Sequence, residues 1–258
     1  MSATETLLKN WNLSSGNRTD RAVVGGLLNG MADVPYENLT KLVADGQRRS
    51  EEQVAREYLE HGTGGTCFSL VRLFLTLARR MDLDARPILA DRSYGTNTHC
   101  AAVVQTENGP VLADPGFLIY QPVQMDGDRT IELPHTTLRM SEDGKVFTVY
   151  PDGHEKFRYE LHDETVSDDA FCDLWGSSFD WDMMDQLVIN RLAGDTHLYL
   201  RDTHLHENRS DEHRQVELET HQLVDRIVQM GIDRTIAEAA AAELDLVPPQ
   251  VADENIER

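Results

Sequence analysis

Covalent ties are scarce in this sequence: three cysteines, Cys67, Cys100 and Cys172, are spread over 258 residues. No two form a CxxC pair and one is left over, which argues against a disulfide framework or a structural zinc site and for a reducing compartment. No stretch approaches the ~18 consecutive apolar residues of a membrane span. The N-terminal segment MSATETLLKNWNLSS has no basic start followed by an apolar run, so no signal peptide is expected. A cytoplasmic protein is the expectation. Base is scarce as well. Lys and Arg number 24 against 45 Asp and Glu, a formal net charge of -21, and only four of the 24 are lysines. That excess disfavours nonspecific binding to nucleic acid or anionic membrane, both of which need clustered cations. From Asp163 to Asp185 the chain carries DETVSDDAF and DWDMMD with almost no base. A solvated acidic face is the plain reading, and a hydrated surface suited to high salt is the sharper one. An anionic substrate would need a local basic patch against this field.

With 40% hydrophobic residues the chain can bury a sizeable core in one domain or a few packed subdomains. Residues 1–82 read as mostly helical. Thr19 or Asp20 caps a helix that carries Val23, Val24, Leu27 and Leu28 and fades near Asp33. Pro35 holds Val34 extended, so VPYEN begins as a loop. A polar helix covers residues 50–60. Then HGTGGTCFSLVRLFLTLARRMDL opens on glycines and continues apolar nearly all round, the pattern of a buried helix with Cys67 in its first turn. After Asp84 the pattern turns to short strands: ARPILA, HCAAVVQT, PVLADPG, TIEL, KVFTVY and KFRYEL. NG, DG and DG at Asn108, Asp126 and Asp143 punctuate them, which predicts a small antiparallel barrel or sheet. A helix from Ser167 leads to a strand pair in LVINRLAGDTHLYLRDTHLHEN. Helices fill the tail from Glu219 to the stop at Pro248-Pro249. There is no internal repeat.

A thiol in the first turn of a helix feels the positive end of the macrodipole and unpaired N–H groups, which favour the thiolate and can hold an oxyanion. Cys67 is therefore a candidate nucleophile, weighed against simple core packing, the commonest fate of a free cysteine. His99 has the best context of the ten histidines, because it opens an apolar strand. At period two it shares a face with Ala101 and Val103, while Cys100, Ala102 and Val104 share the other. Asp114 ends the next strand. A hairpin through Glu107-Asn108-Gly109 sets it opposite position 99 or 100, where a carboxylate can hold an imidazole tautomer. An acidic turn residue before Pro-Gly is the bland alternative.

Cys, His and Asp in that order, on a helix followed by strands, resemble the transglutaminase-like cysteine enzymes and, more closely, the arylamine N-acetyltransferases. VPYENL at 34–39 is similar to that family's (I/V)PFENL. GGTCF at 64–68 resembles its RGGxCxE, THCAAVV at 98–104 its histidine strand, and LADPGF at 112–117 its VDVGFG. The fifteen-residue step from His99 to Asp114 fits the family's spacing, and SFDWDMMDQLVINR at 178–191 resembles the start of its C-terminal domain. The resemblance implies an α+β fold of three parts: an N-terminal helical bundle (1–82), a central antiparallel β-barrel (83–190) and a C-terminal α/β lid (191–258). It implies Cys67, His99 and Asp114 as catalytic residues and a ping-pong reaction without a permanently bound cofactor or metal. Acetyl-coenzyme A or another acyl thioester acylates Cys67, and a small-molecule amine takes the acyl group. Four positions depart from the pattern. Thr63 replaces an arginine, which leaves Glu37 without the family's ion-pair partner. Ser69 replaces a glutamate, Val71 stands near an expected asparagine, and Leu118 stands where the family has glycine, with Pro115 stiffening the same turn. These changes bear on the acceptor and donor. They keep open an amide synthase or macrocyclising enzyme fed by an acyl carrier protein, a transglutaminase-like hydrolase, and a non-catalytic ligand-binding relative.

Three further groups stand out. Phe117 and Tyr120 follow the aspartate and are candidates to line an acceptor pocket, with core packing as the alternative. Asp202, His204, His206 and Glu207 alternate on a strand and could offer imidazoles to a metal, although a polar exposed strand is the simpler reading. Trp175, Phe179 and Trp181 form either a partner-binding patch or an anchor for a helix on the barrel.

Overall fold

The computed structural model describes residues 1–14, 18–43, 48–181, 185–209 and 212–246. Side-chain caps set where several of its helices start. Ser2 and Ser50 close capping boxes on α1 (Ala3–Asn10) and α4 (Glu51–His61), and Thr19 accepts from the Ala22 N–H to open α2 (Asp20–Met31). A single turn, α3 (Leu39–Leu42), follows the short strand β1 (Tyr36–Glu37). Helix α5 (Cys67–Arg80) buries ten of its fourteen residues and leaves only Arg79 and Arg80 at its C-terminal end exposed, so it forms the axis of the bundle. Leu27, Leu28, Val54, Phe68, Leu70 and Phe74 make one core with Cys100, Ala102, Val111 and Ala113 of the neighbouring sheet. The bundle is thus continuous with one face of the sheet.

That sheet contains β2 (Ala85–Arg92), β3 (Gly95–Thr106), β4 (Gly109–Asp114), β5 (Ile119–Gln124), β6 (Arg129–Leu133), β7 (Thr136–Met140), β8 (Lys145–Val149) and β9 (Glu155–Thr165). Its order is β5-β4-β3-β2-β9-β8-β7-β6, every pairing antiparallel, and the edge strands β5 and β6 contact each other in a nearly closed barrel. Its interior holds Ile88, Ala101, Val103, Leu112, Ile131, Val146 and Tyr159. Helix α6 (Asp168–Ser177) packs Phe171 and Trp175 onto the bundle core. A second antiparallel sheet joins β1 to β10 (Val188–Ala193), β11 (Thr196–Arg201), β12 (His204–Asn208) and β13 (His213–Glu217). With α7 (Thr220–Gln229) and α8 (Arg234–Glu243) it builds a separate core of Leu39, Ile189, Leu200, Leu223, Ile227 and Ala237.

Several local expectations are corrected. VPYEN does not stay a loop: Tyr36 and Glu37 pair with Asn190 and Ile189, partners too distant in sequence for any local pattern to announce. Strands β5 and β7 escape periodicity because IYQPVQ has a central proline, tolerated on this edge strand, and TTLRM is short and half polar. The C-terminal strand pair is part of a four-strand meander. The Pro248-Pro249 stop lies outside the described residues. Among the described residues no helix is long and apolar enough to cross a membrane.

Candidate active site

Cys67 is the first residue of α5 and is 5% exposed. Gly65 has φ 148, and a Cβ there would fall 2.5 Å from the Ser69 Cβ, so only glycine lets the chain turn this tightly into the helix. Glu37 braces the turn from behind. Thr63 supplies no cation, and the buried Glu37 carboxylate instead accepts from the Gly64 N–H at 3.1 Å, the Thr40 N–H at 2.9 Å and the Thr40 hydroxyl at 2.8 Å. An arginine still reaches the turn by another route: Arg49 donates to the Gly64 carbonyl at 2.9 Å and pairs with Glu57.

Opposite the thiol, His99 and Asp114 are both fully buried, and the His99 Nε2–H donates to Asp114 Oδ2 at 2.8 Å. The expected register needs correction here. Thr106 pairs with Gly109 around a two-residue turn, Ala102 pairs with Ala113, and Asp114 therefore stands level with Ala101. Asp114 meets His99 diagonally on the same face, two residues along, a reach that long side chains span. Asp114 is saturated: Oδ1 accepts from the Phe117 N–H at 2.9 Å and Oδ2 also accepts from the Tyr159 hydroxyl at 2.7 Å. Gly116 closes the far side, where a Cβ would lie 2.6 Å from the Cys67 Cβ.

These contacts set the charges. A hydrogen bond from the Cys100 thiol, helped by His99 and the Arg92 charge, holds the Cys67 thiol well below its ordinary range although burial opposes it. Burial would push His99 down, but the Asp114 carboxylate overrides it and holds the imidazole above its ordinary value. Arg92 Nη2 lies 3.2 Å from His99 Nδ1. Lys41 is buried nearby, donates to the Ser178 carbonyl at 3.2 Å and hydroxyl at 2.5 Å, and lies 4.2 Å over the Phe179 ring. Burial brings its ammonium down to about 8, against the pull of Cys67 and Cys100.

Sequence reading brought Cys67, His99 and Asp114 together and missed Tyr159, Arg92, Cys100 and Lys41. Cys100 had a signal, since alternation from His99 sends it to the helix-facing side. Tyr159 had none, because β9 joins β2 only through long-range pairing, and Arg92, seven residues before His99, is aimed at it by an irregularity in the β2–β3 hairpin. Phe117 lies edge-on, 6.0 Å from His99 and 5.3 Å from Tyr159. Tyr120 stands apart: among the described residues its buried hydroxyl has no hydrogen-bond partner, and burial, then the charge of Asp33, push it up. Leu118, where the resemblance expects glycine, takes a left-handed backbone, φ 59 and ψ 31. The left-handed conformation costs about 1–2 kcal/mol, which is offset by the ~1.5–3 kcal/mol gained on burying a leucine. The remaining candidates are engaged elsewhere. Glu207 pairs with Arg226 and Arg214, Asp202 accepts from the Leu187 N–H at 2.9 Å, and among the described residues no three such groups converge as for a metal. Trp181 and Phe171 pack edge-on or tilted against Phe68 of α5, at 5.9 and 5.3 Å. Surface grooves of about 290 Å³ (Asp84, Arg86, Val103, Gln105, Thr165) and about 220 Å³ (Thr196, Glu207, Arg209, Glu212, Arg214) share no lining residue with this site.

A profile of the N-acetyltransferase family matches residues 27–237. A curated arylamine N-acetyltransferase / N-hydroxyarylamine O-acetyltransferase of Salmonella typhimurium is 24% identical over 157 residues, covering 56% of each chain, so the match spans a little over half of that relative. Among solved structures, the arylamine N-acetyltransferase of Mycobacterium abscessus superposes with a TM-score of 0.80 at 16% identity over 94% of both chains. The Mycobacterium marinum enzyme in complex with CoA gives 0.80 at 17% identity, over 93% of this chain and 97% of its own. These structural matches carry the fold, and the profile covers most of the sequence: the chain belongs to the N-acetyltransferase family.

Proposed function

We propose that this protein is an arylamine N-acetyltransferase that moves an acetyl group from acetyl-coenzyme A to a small-molecule amine through a thioester on Cys67. The observation that carries this reading is the buried His99–Asp114 pair at 2.8 Å beside a thiol whose pKa is depressed at a helix start. The Cys67 thiolate attacks the thioester carbonyl of the donor, with N–H groups of the first turn of α5 facing the oxyanion. Collapse breaks the bond to coenzyme A sulfur, which leaves as a thiol with the proton that His99 supplies. The amine then attacks acetyl-Cys67 and gives its proton to His99, and the thiolate is released with the amide. Asp114 keeps the His99 Nε2–H in place, leaving Nδ1 toward the thiol, and stabilises the imidazolium.

In this reading residues 1–82 carry the nucleophile, 83–190 the base and its partner, and 191–258 a covering layer. Phe117 borders the acceptor. The relatives named above are acetyltransferases, which favours free coenzyme A thioester over a carrier-bound donor, and a cytoplasmic setting suits both coenzyme A and the unpaired cysteines. Intact-mass measurement after incubation with acetyl-coenzyme A is expected to show one acetyl group added, and none in Cys67→Ala. An unmodified wild type, or an adduct that survives the substitution, sinks the reading.

A further inference from the structure

Two of the three cysteines meet in the folded chain. Cys67 opens α5 and Cys100 lies on β3, and both belong to the core between helix and sheet. The Cys100 thiol donates a hydrogen bond to the Cys67 sulfur, so the two sulfurs are already in contact. The acyl-transfer steps written above draw no bond and no proton from Cys100. Its neighbours on the same face, Ala102 and Ala113, fill this core without sulfur.

The two thiols differ in a way that orders a reaction. Cys67 is 5% exposed and is the sulfur that small molecules meet, whereas Cys100 is 0% exposed. Cys67 is held toward the thiolate, while burial, then the hydrogen bond and charge of Cys67, keep Cys100 protonated. A low-pKa thiolate open to the site attacks peroxides, and a buried neutral thiol does not. Oxidation of Cys67 then changes Cys100. A sulfenic acid is neutral, so the thiolate that kept the Cys100 proton in place no longer exists.

We infer that Cys67 and Cys100 form a reversible disulfide in response to a hydroperoxide, with Cys67 the reacting sulfur and Cys100 the thiol that resolves it. The inference rests on the proposed reading of Cys67 as a reactive thiolate. First, the thiolate takes the terminal oxygen of the hydroperoxide and the O–O bond breaks. The leaving oxygen takes the proton of the His99 imidazolium and departs as an alcohol, or as water from hydrogen peroxide. Next, the Cys100 sulfur attacks the Cys67 sulfur and the S–O bond breaks. The hydroxide takes the Cys100 proton and leaves as water. Two electrons have passed from the thiol pair to the peroxide. An external dithiol reverses the bond by attacking Cys67, the more open sulfur, and is itself oxidised. While the disulfide stands there is no thiolate and acyl transfer stops. In a reducing compartment the bond is transient, a guard on the nucleophile rather than a structural tie.

Intact-mass measurement of the full chain after graded hydrogen peroxide is expected to show the loss of two hydrogens, reversed by dithiothreitol. Peptide mapping is expected to join the Cys67 and Cys100 peptides. Cys100→Ala is expected to lose that product and go on to the sulfinic acid, a gain of two oxygens that dithiothreitol does not remove. The Cys100 hydrogen bond also sets the Cys67 thiol, so the two proteins are compared by their products at equal consumption of Cys67, not by rate. Cys172→Ala, altered on α6, is expected to behave as the wild type. A wild type that stays unchanged or only gains oxygen, a mapped bond to Cys172 or between two chains, or equal oxygen gain in wild type and Cys100→Ala overturns the inference. The wild-type outcomes need no variant to fold. If acetyl-coenzyme A leaves Cys67 unmodified but peroxide joins it to Cys100, the acyl-transfer reading fails by itself. An acetylated wild type that forms no disulfide overturns this inference alone.

Discussion

Three donors converge on the Asp114 carboxylate, and they differ in how visible they are from sequence. The Phe117 N–H follows from the turn and His99 from the adjacent strand, but the Tyr159 hydroxyl comes from β9, 45 residues downstream. A buried hydrogen bond of this kind contributes about 1 kcal/mol net, so Tyr159→Phe is expected to slow acylation by roughly three- to tenfold through a less restrained Asp114. Stopped-flow release of coenzyme A checks this, and an unchanged rate would show that two donors suffice. Cys67, His99 and Asp114 were legible because each lies at or near the end of an element whose pattern is local. Lys41 and Tyr159 were not, because long-range packing and pairing bring them in, and Arg92 was not, because an irregularity in the β2–β3 hairpin aims it.

Helix α5 and the turn after β4 place the thiol and the carboxylate, and they touch at Gly116. A Cβ at this position would sit 2.6 Å from the Cys67 Cβ and 2.9 Å from its Cα, backbone that cannot swing away. Gly116→Ala is therefore expected to push the turn off α5 and misplace Cys67 against His99. Displacements on the order of 1 Å cost ~100-fold in rate, which a time course of the acetyl adduct would register. Near-normal acetylation would mean that the turn yields without moving the thiol. Element identity was largely readable here: the apolar run after GGTC predicts the buried helix, and the NG and DG turns appear as positive-φ glycines at Gly109, Gly127 and Gly144. Register was not, since shortening the β3–β4 turn to two residues moves Asp114 from level with His99 or Cys100 to level with Ala101.

At the scale of the molecule, the barrel meets the C-terminal sheet through stacked imidazoles, with His135 of the β6–β7 turn and His197 of β11 at 4.5 Å between ring centres. Burial pushes His135 down to about 4 and, together with the charges of His135 and His206, pushes His197 down to about 3. A depressed histidine favours the neutral form in the fold, so its contribution is complete above the ordinary value of 6.5 and is lost as pH falls toward the folded values. Stability is expected to fall between pH 6.5 and about 4, and the His135→Phe/His197→Phe double variant should flatten that slope. Scanning calorimetry of both proteins across this range reads it, and parallel slopes would assign acid sensitivity to the carboxylates. The amino-acid sequence by itself determined the buried helix, the strand-rich middle, the acidic surface and the three residues at the centre of the site, because each is written in a period or spacing of a few residues. Only the tertiary structure decided that β1 pairs with β10, that Arg92 turns inward at a bulge and that Tyr159 reaches Asp114. The first and last of these contacts join strands far apart in the chain, and the Arg92 bulge, though only seven residues from His99, depends on a sheet irregularity that no hydrophobic period announces.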